Sequence, residues 1–192
     1  AEAPGGVISY DSDNLPEDYR HDLITTSWSV HVIERFRLKR KGASFKSLPE
    51  TIVKGGEDFR PVGVALAPDG SLYFSDWGDY SYPVHGKGRI WRLSRVDEQP
   101  PVRPKDPTLA LRSLHRPARE QAARDLSRAG EKGLKVLREA LDDPMAEVRA
   151  AALSELLPAG DKKALMSKVS MDPSADVYEL AVKILPLGTT LD

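Results

Sequence analysis

The second half of this chain repeats itself, and a repeat that cannot bury its own apolar face restricts the fold more than any other feature. Asp143-Pro144 returns 29 residues later as Asp172-Pro173, and Ala129-Gly130-Glu131-Lys132 returns 30 residues later as Ala159-Gly160-Asp161-Lys162. Ala123, Ala152 and Ala181 share a spacing of 29. Around them run stripes of helical periodicity: Val148, Ala151, Ala152 and Leu156 in one stretch, and Val177, Leu180, Ala181, Ile184 and Leu185 in another. A period of about 30 residues built from such stripes reads as helix pairs stacked into an α-solenoid, each pair covering the apolar face of the one before. Residues 108–192 hold about two and a half such units. The last unit stops after one helix, so the solenoid is expected to continue beyond Asp192.

Residues 1–96 follow a different grammar. Short runs rich in β-branched and aromatic residues alternate with Gly, Pro, Asn and Asp, the pattern of an antiparallel sheet made of many short strands. Four strands start near Val7, Leu23, Val32 and Lys46, and three more near Val62, Leu72 and Arg89. The clearest hairpin runs through residues 61–75 across Ala67-Pro68-Asp69-Gly70, where Pro presets one dihedral and Gly can take the left-handed position that closes the turn. Four-stranded antiparallel units at intervals of about 40–50 residues are propeller blades. The second group lacks an outer strand, which a closed ring would take from upstream. Between the halves, residues 97–107 carry four prolines and read as an extended linker. The expected class is therefore mixed and segregated, β then α: two antiparallel β-propeller blades over 1–96, a Pro-rich linker over 97–107, and helical repeats over 108–192.

Composition excludes several functions. Lys and Arg number 28 against 29 Asp and Glu, so no charge excess points to nucleic acid or an anionic membrane. The chain has no cysteine, hence no disulfide, thiolate metal site, cysteine nucleophile or covalent haem attachment of its own. No apolar run approaches the ~20 residues of a membrane-spanning helix. The one basic run, Arg35 to Lys41, alternates Arg35, Arg37 and Lys39 against Phe36 and Leu38, as expected of a solvated outer strand edge. Trp28, Trp77 and Trp91 read as packing residues between strands.

In a propeller, the segment entering an innermost strand and the loop between the second and third strands share one face. That placement gathers Asp58, Arg60, Asp76, Trp77, Asp79, Tyr80, Tyr82 and His85 at the mouth of the central channel. Arg60 there either binds a ligand or fixes its loop by bridging Asp58 or Asp79. Asp76 and Asp79 either contribute to a calcium site or accept local hydrogen bonds, as turn aspartates do. The four histidines have no metal-type spacing, and no metal site is expected.

Asn14-Leu15-Pro16-Glu17-Asp18-Tyr19-Arg20-His21-Asp22-Leu23, the run from Phe59 through Pro68-Asp69-Gly70 to Tyr73, and Gly88-Arg89-Ile90-Trp91-Arg92-Leu93 together resemble the last two blades of the glucose/sorbosone dehydrogenase-type β-propeller. They are more similar still to the bacterial "membrane-bound dehydrogenase" proteins, in which such a propeller runs into HEAT-like repeats and a c-type cytochrome domain. The resemblance implies a periplasmic or secreted oxidoreductase acting on sugars or sugar-like alcohols with pyrroloquinoline quinone, or a haem-linked relative of it. It also implies that Arg60 pairs a cofactor carboxylate, a task suited to the planar guanidinium fork. The family's catalytic base lies in earlier blades. This chain is accordingly expected to be a C-terminal scaffold and active-site rim without a complete catalytic site, partnered by upstream blades and by a protein on its helical repeats. The alternative is a non-catalytic propeller and HEAT-repeat module that binds a ligand or protein.

Overall fold

The computed structural model describes residues 4–96, 99, 101–159 and 162–184. Asp97, Glu98 and Pro100 of the linker, Gly160 and Asp161 of the repeated motif, and the residues after Ile184 lie outside the described residues, as do the side chains of Ala159, Lys162, Ala181 and Ile184. The chain forms antiparallel sheets followed by helices, in two compact units, Ala1–Pro101 and Val102–Asp192. Among the described residues, no helix is long and apolar enough to cross a membrane.

The first unit opens with β1 (Pro4–Ser9), β2 (Leu23–Ser27) and β3 (Val32–Phe36). A small ribbon follows, β4 (Lys39–Lys41) against β5 (Ser44–Lys46), turning at Gly42. β6 (Pro49–Lys54) then pairs with β3 to complete a four-stranded antiparallel sheet in the order β1-β2-β3-β6. The single strand expected to start near Lys46 is thus two strands. Phe45 folds back opposite Arg40, and a new strand starts at Pro49, facing Phe36. The second sheet is β7 (Pro61–Leu66), β8 (Leu72–Asp76) and β9 (Arg89–Leu93), with Gly70 at φ +85° closing the Pro-Asp-Gly turn between the first two.

Tyr10, Leu15, Ile24, Ile33, Phe59, Leu72 and Phe74 form the core between the sheets. Tyr10 also ties loops together: its hydroxyl accepts from the Asn14 and Leu15 amides and donates to the Gly70 carbonyl. β1 meets β7 backbone to backbone. A Cβ on Gly5 would stand 2.4 Å from the Val62 carbonyl oxygen, so only glycine permits this approach.

The basic run is exposed from Arg37 to Lys41 as expected, and Arg35 corrects the expectation. Arg35 is 1% exposed instead of solvated. Ile33 sets the parity of β3 toward the core, and Arg35, two residues on, must follow it inward. The charge is met by Asp22 at 2.6 Å, by Asp18 at 3.0 Å, and by the face of Tyr19 at 3.8 Å.

The second unit comprises α1 (Pro107–Ala110), α2 (Arg116–Arg128), α3 (Glu131–Ala140), α4 (Ala146–Ala159), α5 (Lys162–Ser170) and α6 (Ala175–Ile184). Asp106 caps α1 by accepting from the Thr108 amide, with Pro107 in the first turn. Ser113, Asp143 and Asp172 each accept from the amide two residues on, just before α2, α4 and α6. Arg119 and Arg149 donate to the carbonyls of Ser113 and Asp143, each six residues back. The structural offset is therefore 30 residues in the first step and 29 in the second. It matches Ala152 with Ala122, one residue away from Ala123. Ala122 and Ala123 are both buried, so composition alone did not separate them.

α4 is apolar on two sides. Val148, Ala151, Ala152 and Leu156 join a core with Ala122, Leu126 and Leu137, while Leu153 and Leu157 join Val169 and Val177. Ala152 has no exposed surface. Ala152→Leu should overpack this layer and destabilise the unit by about 1–3 kcal/mol. Thermal melts of the full chain would read it, and an unchanged midpoint would show that the layer has room to spare.

Candidate functional site

Antiparallel meanders place alternate turns at the same end. The β2–β3 turn, the 55–60 segment before β7, and the 77–88 loop between β8 and β9 therefore share one end of the first unit. Asp76, the last residue of β8 and 2% exposed, holds their roots. Its Oδ1 accepts from the backbone amides of Arg60 (2.6 Å) and Gly78 (3.0 Å), and its Oδ2 accepts from Arg89 Nε (3.0 Å) and Trp91 Nε1 (2.9 Å). The β2–β3 turn is tied in through His31, whose Nδ1 lies 2.9 Å from the Phe59 carbonyl oxygen and whose own carbonyl accepts from the Gly55 amide.

Arg60 is 8% exposed. Its Nη1 donates to the Trp28 carbonyl at 3.2 Å, and its guanidinium carbon lies 4.7 Å from the Trp28 ring and 5.3 Å from the Tyr80 ring. Neither expected carboxylate reaches it: Asp58 pairs with Arg89 at 3.1 Å, and Asp79 pairs with Lys87. The Nε proton is buried without an acceptor among the described residues, an omission that typically costs about 1–3 kcal/mol. Two aromatic faces offset part of that cost through the ring quadrupole.

Beyond Arg60 the aromatic cluster widens. The Tyr80 ring lies 5.5 Å from Trp28, tilted by 37°, and the Tyr82 ring lies 6.4 Å from Trp28, within 11° of parallel. Tyr80 is 72% and Tyr82 85% exposed. Their loop is braced from within. Asp79 accepts from the Ser81 amide and pairs with Lys87, which together hold its carboxyl well below the usual carboxylate range. Trp77 donates to the Ser81 carbonyl and meets the His85 ring edge-on at 4.7 Å, while His85 Nδ1 accepts from the Lys87 amide. A separate open cleft of about 430 Å³ runs past Phe59, Phe74, Arg89 and Trp91, and none of Trp28, Arg60, Tyr80 or Tyr82 lines it.

Of the residues singled out from the sequence, Arg60, Tyr80 and Tyr82 meet at Trp28, and Asp58 and Asp76 meet through Arg89. Trp77, Asp79 and His85 brace the loop that carries the tyrosines. Trp28 departs from its expected packing role by forming the centre of the cluster. Its position, one residue past the end of β2 at the loop end, was the available signal. Trp91 is partly exposed and hydrogen-bonded to Asp76. Among the described residues, no group of three or more His, Asp or Glu side chains is arranged to hold a metal ion.

The first unit thus defines a class: a pair of antiparallel meander sheets that carry, at one end, a nearly buried guanidinium beside exposed aromatic rings. Residues 2–82 match a protein-family model described as "Domain of unknown function (DUF7133)". A solved structure from Thermus thermophilus, described as an oxidoreductase (glucose dehydrogenase), is similar at 22% identity and a TM-score of 0.35, over 47% of this chain and 25% of that one. The match spans about a quarter of that protein's length. No curated protein matches this chain.

Proposed function

We propose that this chain is the C-terminal part of an extracytoplasmic sugar or alcohol dehydrogenase-like protein, with the first unit as its last two propeller blades and the second as HEAT-like repeats. On this reading the sheets are scaffold, and the loops around Arg60 form one rim of the active-site face. Upstream blades complete the ring and supply the catalytic base. The observation that carries the reading is Arg60, a nearly buried guanidinium with no carboxylate partner among the described residues, at the end where three loops converge.

That donor set fits a ring-bearing carboxylate cofactor such as pyrroloquinoline quinone: Arg60 has the charge, and Trp28 and Tyr80 hold the guanidinium in place. When bound, the quinone supplies the two-electron acceptor chemistry. This chain's own part is to hold a carboxylate at Arg60 and to wall the site. The alternative, a non-catalytic propeller and repeat module, draws support from the fact that every group in the cluster is suited to binding.

The test is reconstitution of the full-length parent with pyrroloquinoline quinone, read by titration and by aldose oxidation. Arg60→Ala should weaken cofactor binding by about 1.5–3 kcal/mol, roughly one to two decades, and Arg60→Lys should recover only part of it. Equal affinity in all three proteins would reduce Arg60 to a loop residue. Failure of the wild type to bind would remove the quinone and favour the non-catalytic module.

A further inference from the structure

We infer that the β4–β5 ribbon is a docking face for an extended acidic segment of another protein, held by Lys39, Lys41 and Lys46. The ribbon is a two-stranded sheet of its own, and every residue from Lys39 to Lys46 is exposed. Its register sets Lys39 opposite Lys46 and Lys41 opposite Ser44. Residues opposite one another share a face, as do residues two apart on one strand, so the three ammonium groups stand on the same side. Like charges directly opposite destabilise a sheet, and nothing local relieves these. The sequence has no acidic residue between Glu34 and Glu50. Glu50 and Asp18 are engaged by Arg35 and Arg37. Among the described residues, none of the three ribbon lysines has a carboxylate partner, whereas Lys87 and Lys168 each have one.

The spacing of the charges selects the partner. An extended peptide rises about 3.3 Å per residue, so acidic residues at alternate positions fall about 6.6 Å apart, which is also the repeat of Lys39 and Lys41 along β4. A segment laid along the ribbon therefore sets its carboxylates against the lysines in register, and opposite charges so placed stabilise the pairing. Two other anions fit less well. The ribbon turns at Gly42-Ala43 and has no large apolar side chain at its tip to enter a bilayer. Single-stranded nucleic acid needs aromatic rings beside the cations. Phe45 lies opposite Arg40, on the face away from the lysines, and the Arg40 guanidinium stands 5.9 Å from its ring.

The experiment is fluorescence anisotropy of a labelled peptide alternating glutamate and threonine, titrated with the full 192-residue chain at low salt. The glutamate peptide should bind at least tenfold more tightly than its glutamine counterpart, and the difference should shrink as salt is added. Lys39→Gln with Lys46→Gln should weaken it by about three- to tenfold. The thermal midpoint of that variant should be unchanged or raised, because a like-charge pair has been removed. Lys132→Gln with Lys135→Gln, the same charge change on exposed positions of α3, should leave peptide binding as it was. Equal affinity for the two peptides, or equal weakening by the two double variants, would overturn the docking face. So would ribbon-dependent binding of phosphatidylglycerol vesicles or oligothymidylate without binding of the peptide.

Discussion

Arg149→Ala is expected to lower the stability of the helical unit by about 3–5 kcal/mol, the usual cost of removing one partner from a buried ion pair. Arg149 donates from Nε and Nη2 to the two carboxylate oxygens of Asp172, at 2.7 and 2.8 Å, and from Nη1 to the carbonyls of Asp143 and Pro144. Both side chains of the pair are about nine-tenths buried. Alanine would strand Asp172, which also accepts from the Ser174 amide ahead of α6. The pair imposes a pH signature as well. Hydrogen bonding from Arg149 holds the Asp172 carboxyl below its ordinary value of 3.8. A depressed folded-state value means that the stabilisation is fully present above the unfolded value and is lost as pH falls through the folded one. Denaturant melts at pH 7 and in acid should therefore show a larger acid loss for wild type than for Arg149→Ala. A loss under about 1 kcal/mol at pH 7 would place the pair among the screened surface bridges. Removing both partners should cost less than the sum of the single changes.

Asp76→Ala should be comparably severe in the first unit, at about 3 kcal/mol or more, because four donors lose their acceptor together. Arg60 and Gly78 amides, Trp91 Nε1 and the Arg89 guanidinium all converge on this carboxylate. Asp76→Asn retains one acceptor oxygen and should fall between the two. Urea unfolding followed by tryptophan fluorescence would give the order, and a fully stable Asp76→Ala would mean that water replaces the carboxylate without loss. The alanine variant should also weaken any ligand dependence assigned to Arg60, whose backbone it releases.

The hairpin from Pro61 to Asp76 was legible because proline, aspartate and glycine leave the turn few other conformations. The convergence of 55–60 with 77–88 was legible because a meander fixes which turns share an end. Arg35 was misread because strand parity is set by the residues that bury, here Ile33 and Ile24, and a charged residue on the same face is carried in with them. The one-residue difference between successive helical units escaped because Ala122 and Ala123 are chemically identical neighbours. The pairing of Asp58 with Arg89, leaving Arg60 to its aromatic neighbours, depends on loop dihedrals that no periodicity encodes. Trp28 was hidden for a related reason, since a tryptophan at a strand end suits packing and recognition equally well.

The bonding around Asp76 separates what holds the loops from what they display. Asp76 secures the bases of the 55–60 and 77–88 segments, and the Asp79–Lys87 pair fixes the span of the loop above it. Between those two anchors, Tyr80, Tyr82, Pro83 and Val84 are exposed. Their replacement would leave the sheet register and the anchoring carboxylate untouched. A combinatorial library confined to Tyr82, Pro83 and Val84, which leaves the Tyr80 ring over Arg60 in place, should therefore yield mostly folded members, and differences among them would report what the loop binds instead of stability.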